Sequence, residues 1–398
     1  MMKSGNPLDI AVGMRYYSRP DIYLGGLAQV SLSPETFRVY EEIYGLGVAR
    51  PLESGCPSFH CLPRQRLLAV LCKKGVSTLE ASWILENLGV RIAYWGIKDA
   101  EASSCQFVVA ECLRELTLSY RGAEELCLYP VSEVSADFVP RKHQLSGNVF
   151  EVILSHVTTD PTPIIQLIEL SARLSYLNYF GYQRFGTVRP ISHLVGRAIA
   201  IGDYSEALNV LIGFQSDLES PTVRVARKLF LEGDLRGALR AFPRRFTIER
   251  SILRRYIETS DPRKAILQGL PRGMVKFFVE AYQSYLFNKA LSNMVETVGN
   301  VDEVSVKCEI LELPRPDLPS EGCSKFSSQV IQEDLENQPR VDKTLFVKTV
   351  RETVFKPRDL KAGTTPPNTI ELHFKLSKGC YATVYLRELL RENLHIRS

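Results

Sequence analysis

The residues whose types and spacing could do chemistry are in the run Gly96-Ile97-Lys98-Asp99. A carboxylate beside an ammonium group stays ionised, and a glycine lets the backbone come close to a bound molecule. An ionised carboxylate held in that way can act on the molecule as nucleophile or as base. The competing account is a surface bend, which Gly-x-Lys-Asp also suits. On these four residues alone the bend is the better account.

The elements around the run must hold it in place. Residues 78–88 carry helical periodicity, with Ser77 or Thr78 as cap and Gly89 as stop. Phe107-Val108-Val109-Ala110 reads as a buried strand, so Asp99 lies on a tight loop between two packed elements. Residues 67–72 form a second strand that ends in Lys73-Lys74-Gly75, and residues 33–42 begin as a turn and continue as an alternating strand. Further strand pieces at 126–129 and 149–154 flank the basic stretch Arg141-Lys142-His143, and a helix covers 163–174.

Four more motifs follow Gly96-Ile97-Lys98-Asp99 in order: Gly147-Asn148-Val149-Phe150, then Asn178-Tyr179-Phe180-Gly181-Tyr182-Gln183-Arg184-Phe185-Gly186, then Ala281-Tyr282-Gln283-Ser284-Tyr285-Leu286-Phe287-Asn288, then Gly379-Cys380-Tyr381-Ala382-Thr383-Val384-Tyr385-Leu386-Arg387-Glu388. Together they resemble the motif set of the TruD family of RNA pseudouridine synthases, over residues 37–388. The resemblance implies that Asp99 is the catalytic aspartate. It implies that Lys98, Asn148, Phe150, Arg184 and Arg387 bind substrate, with Phe150 stacking on the target base. Lys74 and Thr78 meet the family's lysine-then-threonine pattern. Ser31 stands where members often carry a lysine, and Ala100-Glu101 stand where basic residues are common.

With 398 residues, 45% hydrophobic and 24% charged, the chain has the composition of a soluble globular protein of two domains. No run approaches the length of a membrane span, and no signal peptide is visible, so an intracellular, cytoplasmic protein is expected. The nine cysteines show no C-x-x-C pair, so buried free thiols are expected and no metal. No glycine loop for a phosphate-bearing cofactor is present either, and no cofactor is expected. Residues 221–276 hold fourteen Lys or Arg against five Asp or Glu, so this segment carries +9 while the whole chain carries +4. Such a concentration suits a phosphate backbone, with Arg244, Arg245, Arg254 and Arg255 as contacts; the alternative is a solvated helical face.

Gly202-Asp203 and Gly233-Asp234 recur with an Ala-Leu pair after each, which predicts two short helical hairpins. A longer helix is expected at 274–294, strand-and-turn material at 299–330, strand character at 345–350, and a boundary at Gly363-Thr364-Thr365-Pro366-Pro367. The resemblance completes the picture as an α+β fold. Residues 1–174 and 356–398 form a pseudouridine-synthase catalytic domain with a mixed, largely antiparallel sheet, and 175–355 an inserted α+β RNA-binding domain. The implied activity is conversion of uridine to pseudouridine in tRNA, at position 13, by a monomer. An RNA-binding protein or chaperone without activity is the alternative, and an RNA methyltransferase is disfavoured for want of a methyl-donor loop.

Overall fold

Apolar residues alternate with polar ones from Phe37 to Ile43, which makes this segment a strand with Phe37, Val39, Glu41 and Ile43 on its buried face. It is β1 (Phe37–Ile43) of a nine-stranded sheet. The others are β2 (Gly47–Val48), β3 (Arg66–Lys73), β4 (Val90–Tyr94), β5 (Ser103–Cys112), β6 (Leu126–Glu133), β7 (Leu145–Leu154), β8 (Arg358–Thr365) and β9 (Thr369–Ser377). The order is β6-β3-β5-β1-β7-β9-β8, with β2 on β1 and β4 on β5. Only the β1–β5 pair is parallel; the remaining pairs are antiparallel. The fold is therefore α+β with a mixed, largely antiparallel sheet, as expected.

The computed structural model describes residues 1–52, 55–100, 102–118, 126–155, 157, 160–365 and 368–396. Glu101, Pro366 and Pro367, which figured in the sequence reading, lie outside the described residues. The chain divides into two units, Arg19–Leu174 with Phe355–Ser398, and Met1–Ser18 with Ser175–Val354. The first holds the large sheet. Its helix α1 (Thr78–Leu88) covers one part of it, burying Leu85 and Ala81 against Leu67, Ala69 and Leu71 of β3 and Val108 and Ala110 of β5. Helix α2 (Pro161–Ser171) and the C-terminal helix Ala382–Leu390 are joined by a hydrogen bond of 2.5 Å between Ser171 Oγ and Tyr385 Oη.

The second unit is mainly helical and includes the N-terminal residues that the sequence reading put with the sheet. Asn288 ties them in, since its Nδ2 donates to Val12 O at 2.9 Å. At the centre is the helix Met274–Val298, buried on most of its circumference as an interior helix must be. Helix Ser192–Ala200 crosses it at Gly196, where an added Cβ would lie 1.9 Å from Phe278 O. The two Gly-Asp signals work as expected. Asp203 and Asp234 cap helices Tyr204–Leu208 and Leu235–Ala241, accepting from Glu206 N and Gly237 N. No helix among the described residues is long and apolar enough to cross a membrane.

Three expectations need correction. Residues 299–330 are strand and turn only in part: Ile310–Glu312 is a short strand, but helices Val301–Lys307 and Ser324–Leu335 lie on either side of it, the first started by the Asn300 cap and braced by Lys307–Glu303 at 2.9 Å. The prolines of this segment all follow Lys307, so nothing interrupts the helix that the Asn300 cap starts. Residues 345–350 are not a strand either; a 3-10 turn, Lys343–Leu345, precedes the short strand Val350–Glu352. Eight of the nine cysteines are paired rather than free, as Cys56–Cys127, Cys61–Cys112, Cys72–Cys105 and Cys308–Cys323, and Cys380 lies outside these four pairs. Cys72 and Cys105 are opposite each other on β3 and β5, a neighbourhood set by strand register that spacing along the chain does not reveal.

Candidate active site

The Asp99 loop runs from the end of β4 to the start of β5 and is fixed from beneath by three side chains. Lys73, the last residue of β3, is almost wholly buried and donates from Nζ to the carbonyl oxygens of Val76, Lys98 and Asp99 at 2.8, 3.1 and 2.9 Å. Thr78, the first residue of α1, accepts at Oγ1 from Lys98 N (2.8 Å), and its own N–H donates to Lys98 O (3.0 Å). Its hydroxyl also donates to Gln106 Oε1 at 2.6 Å, and Gln106 Nε2 donates to Gly96 O at 2.9 Å. The start of the helix is itself secured by a capping box between Ser77 and Glu80. The outcome is a fixed backbone at Lys98 and Asp99, with the Asp99 side chain exposed to solvent.

Lys98 points the other way. It is buried, and its Nζ meets Oε1 of fully buried Glu41 at 2.8 Å. Gly96 makes room for this pair, because a Cβ there would sit 2.6 Å from Glu41 Oε1 and 3.0 Å from Lys98 Nζ. The glycine in the run is thus required by a close approach of protein groups. A buried pair of this kind is costly to desolvate and costlier to break.

Strand register brings further residues to the same face. One row across the sheet reads Lys73, Ser104, Val39, Phe150 and Phe374, each directly opposite the next. In the adjacent row Glu41 faces Asn148, which faces Leu376. Lys98, Asp99, Asn148 and Phe150 are therefore served by one sheet face. Among the described residues, Glu41 Oε2, Asn148 Oδ1 and Ser104 Oγ on this face are buried and make no hydrogen bond within the protein. Three unsatisfied acceptors or hydroxyls so close together are unusual, and a polar ligand edge would satisfy them.

Phe150 is buried among aromatic rings, stacked on Phe374 at 5.3 Å and tilted against Phe37 at 5.8 Å. Arg387 lies on the C-terminal helix of the same unit, nearly inaccessible, with Nη1 3.3 Å from Glu388 Oε1. Arg184 belongs to the helical unit, where it pairs with Glu280 (3.1 Å), donates to Ser284 Oγ (3.2 Å) and lies over the Phe277 ring. His193 is packed against Tyr285, and burial lowers its pKa to about 4, so it is a neutral packing residue.

Two details differ from the sequence reading. The lysine that braces the loop is Lys73; Lys74 turns outward to Glu35 at 2.7 Å. Alternation along β3 was the usable signal, since Lys73 shares a face with Leu67, Ala69 and Leu71. Glu41 was missed altogether, although an acid in the alternating series Phe37, Val39, Glu41, Ile43 marks a buried charge.

The basic segment forms several helices, including Pro221–Leu231, Thr247–Thr259 and Pro262–Gly269. Arg244, Arg245 and Arg254 are exposed, and Arg255 is half-buried and bound to Glu258 at 2.9 Å. Not every base counted in the segment is at the surface. Arg227 is fully buried against Glu219 at 2.7 Å, and Arg250 donates to Leu239 O and Phe242 O.

Residues 11–320 match the family described as tRNA pseudouridine synthase D (TruD). A probable tRNA pseudouridine synthase D of Sulfurisphaera tokodaii is 30% identical over 361 residues, covering 90% of this chain and 92% of its own. One of Pyrobaculum arsenaticum is 30% identical over 429 aligned positions, covering 98% of each. The crystal structure of the putative tRNA pseudouridine synthase D of Methanosarcina mazei is similar in fold, with a TM-score of 0.65 at 21% identity over 97% of this chain and 98% of that one.

Proposed function

Because the chain belongs to the TruD family of tRNA pseudouridine synthases, we propose that it converts uridine to pseudouridine in tRNA, at position 13, with the Asp99 carboxylate as the reacting group. The observation that carries this reading is an exposed carboxylate on a backbone held by Lys73, Thr78 and Gln106. In the reaction the N1–C1′ bond breaks, the uracil turns, and a C5–C1′ bond forms while C5 gives up its proton to solvent and N1 takes one up. Nothing is oxidised and no group leaves the nucleotide. A carboxylate suffices in two ways: it adds to C1′ as nucleophile, or takes a proton from C2′ as base.

Since C1′ of a stacked nucleotide is hidden, the uridine has to be flipped out, at a cost of about a few kcal/mol. Asn148 and Phe150 then border the freed uracil, and Lys98 keeps the floor of the loop rigid through Glu41. Arg387 and Arg184 are assigned to substrate binding by their places in the family motifs. Exposed Arg244, Arg245 and Arg254, with Arg255, bind the phosphate backbone. We take the protein to act as a monomer in the cytoplasm, where tRNA is found.

The test is Asp99→Asn with an unmodified tRNA transcript tritiated at C5 of uridine. Asparagine keeps the shape but has neither the charge nor the basic lone pair. Tritium release should vanish while tRNA binding and the melting temperature stay unchanged. Turnover equal to wild type would falsify the catalytic assignment, and an inactive wild type that still binds tRNA would favour a binding protein.

A further inference from the structure

We infer that Ile97, Leu79 and Trp83 form a stacking surface for an unpaired base of the RNA next to the target uridine. All three are exposed, by 61%, 55% and 69% of their surfaces. The reciprocal bonds between Thr78 and Lys98 bring helix and loop together at one point. Leu79 follows the first of these residues and Ile97 precedes the second, so the two apolar side chains flank the junction. Trp83 lies one turn beyond Leu79 on the outer ridge of α1, since i and i+4 side chains are neighbours there, while Thr78, Ala81 and Leu85 take the inner face. The ridge thus starts two residues from Asp99 and continues along the helix.

The occupant is argued from position and charge. Extruding one uridine unstacks the bases on either side of it, and their exposed faces need aromatic or apolar partners. A tryptophan with an open ring face beside the reacting carboxylate supplies one. The two acids of the helix itself are engaged: Glu80 accepts from Ser77 N at 2.7 Å, and Glu86 pairs with Arg91 at 3.4 Å. Leu79, Trp83 and Ile97 carry no charge that could hold a phosphate, so the surface fits the face of a base. This assignment rests on the reading of the Asp99 loop as the active site.

The chain has two tryptophans, which makes the contact directly observable. Trp95 is buried, and its Nε1 donates to Gln144 Oε1 at 2.9 Å, so the emission that responds to a surface ligand comes from Trp83. Adding unmodified tRNA to the Asp99→Asn protein should quench that emission, and the quench should disappear in a Trp83→Ala, Asp99→Asn double variant. Trp83→Ala alone should lower kcat/KM about tenfold, Trp83→Phe much less, and Trp83→Leu nearly as much as Ala, because stacking rather than area is lost. Wild-type kcat/KM in Trp83→Ala, or unquenched emission at saturating tRNA, overturns the inference. So does a dimer in sedimentation that Trp83→Ala dissociates with tRNA affinity unchanged, which would make the ridge a contact between copies. Full turnover by Asp99→Asn instead refutes the active-site reading, while the quench still reports whether Trp83 meets RNA.

Discussion

The ammonium group of Lys73 lies 2.9 Å from the carbonyl oxygen of Asp99 and uses its three protons on three backbone carbonyls. A charge buried in this way secures two segments at once, the turn after β3 and the loop that presents the reacting residue.

The first prediction is an alkaline loss of activity set by Lys73. Burial lowers its pKa from 10.5 to about 8, with Lys98 pushing it down further and Asp99 and Glu80 opposing. Above about pH 8 the neutral amine keeps only two protons for three carbonyls, so kcat should fall while KM changes little. Linkage runs in the opposite direction. The folded pKa is below the unfolded one, so folding releases a proton between about pH 8 and 10.5 and the group's contribution to stability rises with pH. Activity should therefore decline through this window without a loss of melting temperature from this residue. A kcat profile flat to pH 9.5 sinks the idea, and so does Lys73→Arg with an unchanged alkaline limb.

Breaking the Lys98–Glu41 pair should be expensive. Glu41→Gln leaves a buried ammonium uncompensated and should cost about 3–5 kcal/mol in urea unfolding. Replacing both residues, as Glu41→Leu with Lys98→Met, should recover most of that stability but not the activity. Equal activity in the double variant would reduce the pair to packing.

Phe150 is better tested by a conservative change than by truncation. Phe150→Ala should destabilise by about 3–5 kcal/mol, since it opens a cavity between Phe37 and Phe374. Phe150→Leu keeps most of the volume and should fold; its single-turnover rate should drop about tenfold with tRNA affinity within twofold of wild type, if stacking on the flipped base is its role. A full rate would return Phe150 to the aromatic core.

Charge reversal at Arg244, Arg245 and Arg254 should weaken tRNA binding and make its salt dependence shallower, by about 0.9 in log–log slope for each phosphate contact on a duplex. Arg255→Glu should do less, because that guanidinium is already held by Glu258. Arg227→Glu should unfold the helices around it, since it puts a third acid beside Glu219 and Glu249 in a buried site. Affinity unaltered across a salt series in the triple variant would remove the segment from the RNA interface.

Local signals were enough to read some parts directly. The helix Thr78–Leu88 and its glycine stop are written in period and capping, and so are the two Gly-Asp helix starts, because capping is a contact between residues three or four apart. The five ordered motifs were enough to suggest the family, which the match over residues 11–320 bears out. Other features depend on contacts between distant segments. Lys73 and Lys74 are adjacent and chemically equal, and only the pleat of β3 decides which is buried under the loop. Glu41 gains its partner from a loop 57 residues away, and Cys72 meets Cys105 only through the β3–β5 register. In the basic segment, composition fixes the net charge, but helix packing separates Arg254, which faces solvent, from Arg227, which is folded into the interior. Chemical type and local period are properties of the chain; which side of a strand or helix is covered is decided by what folds against it.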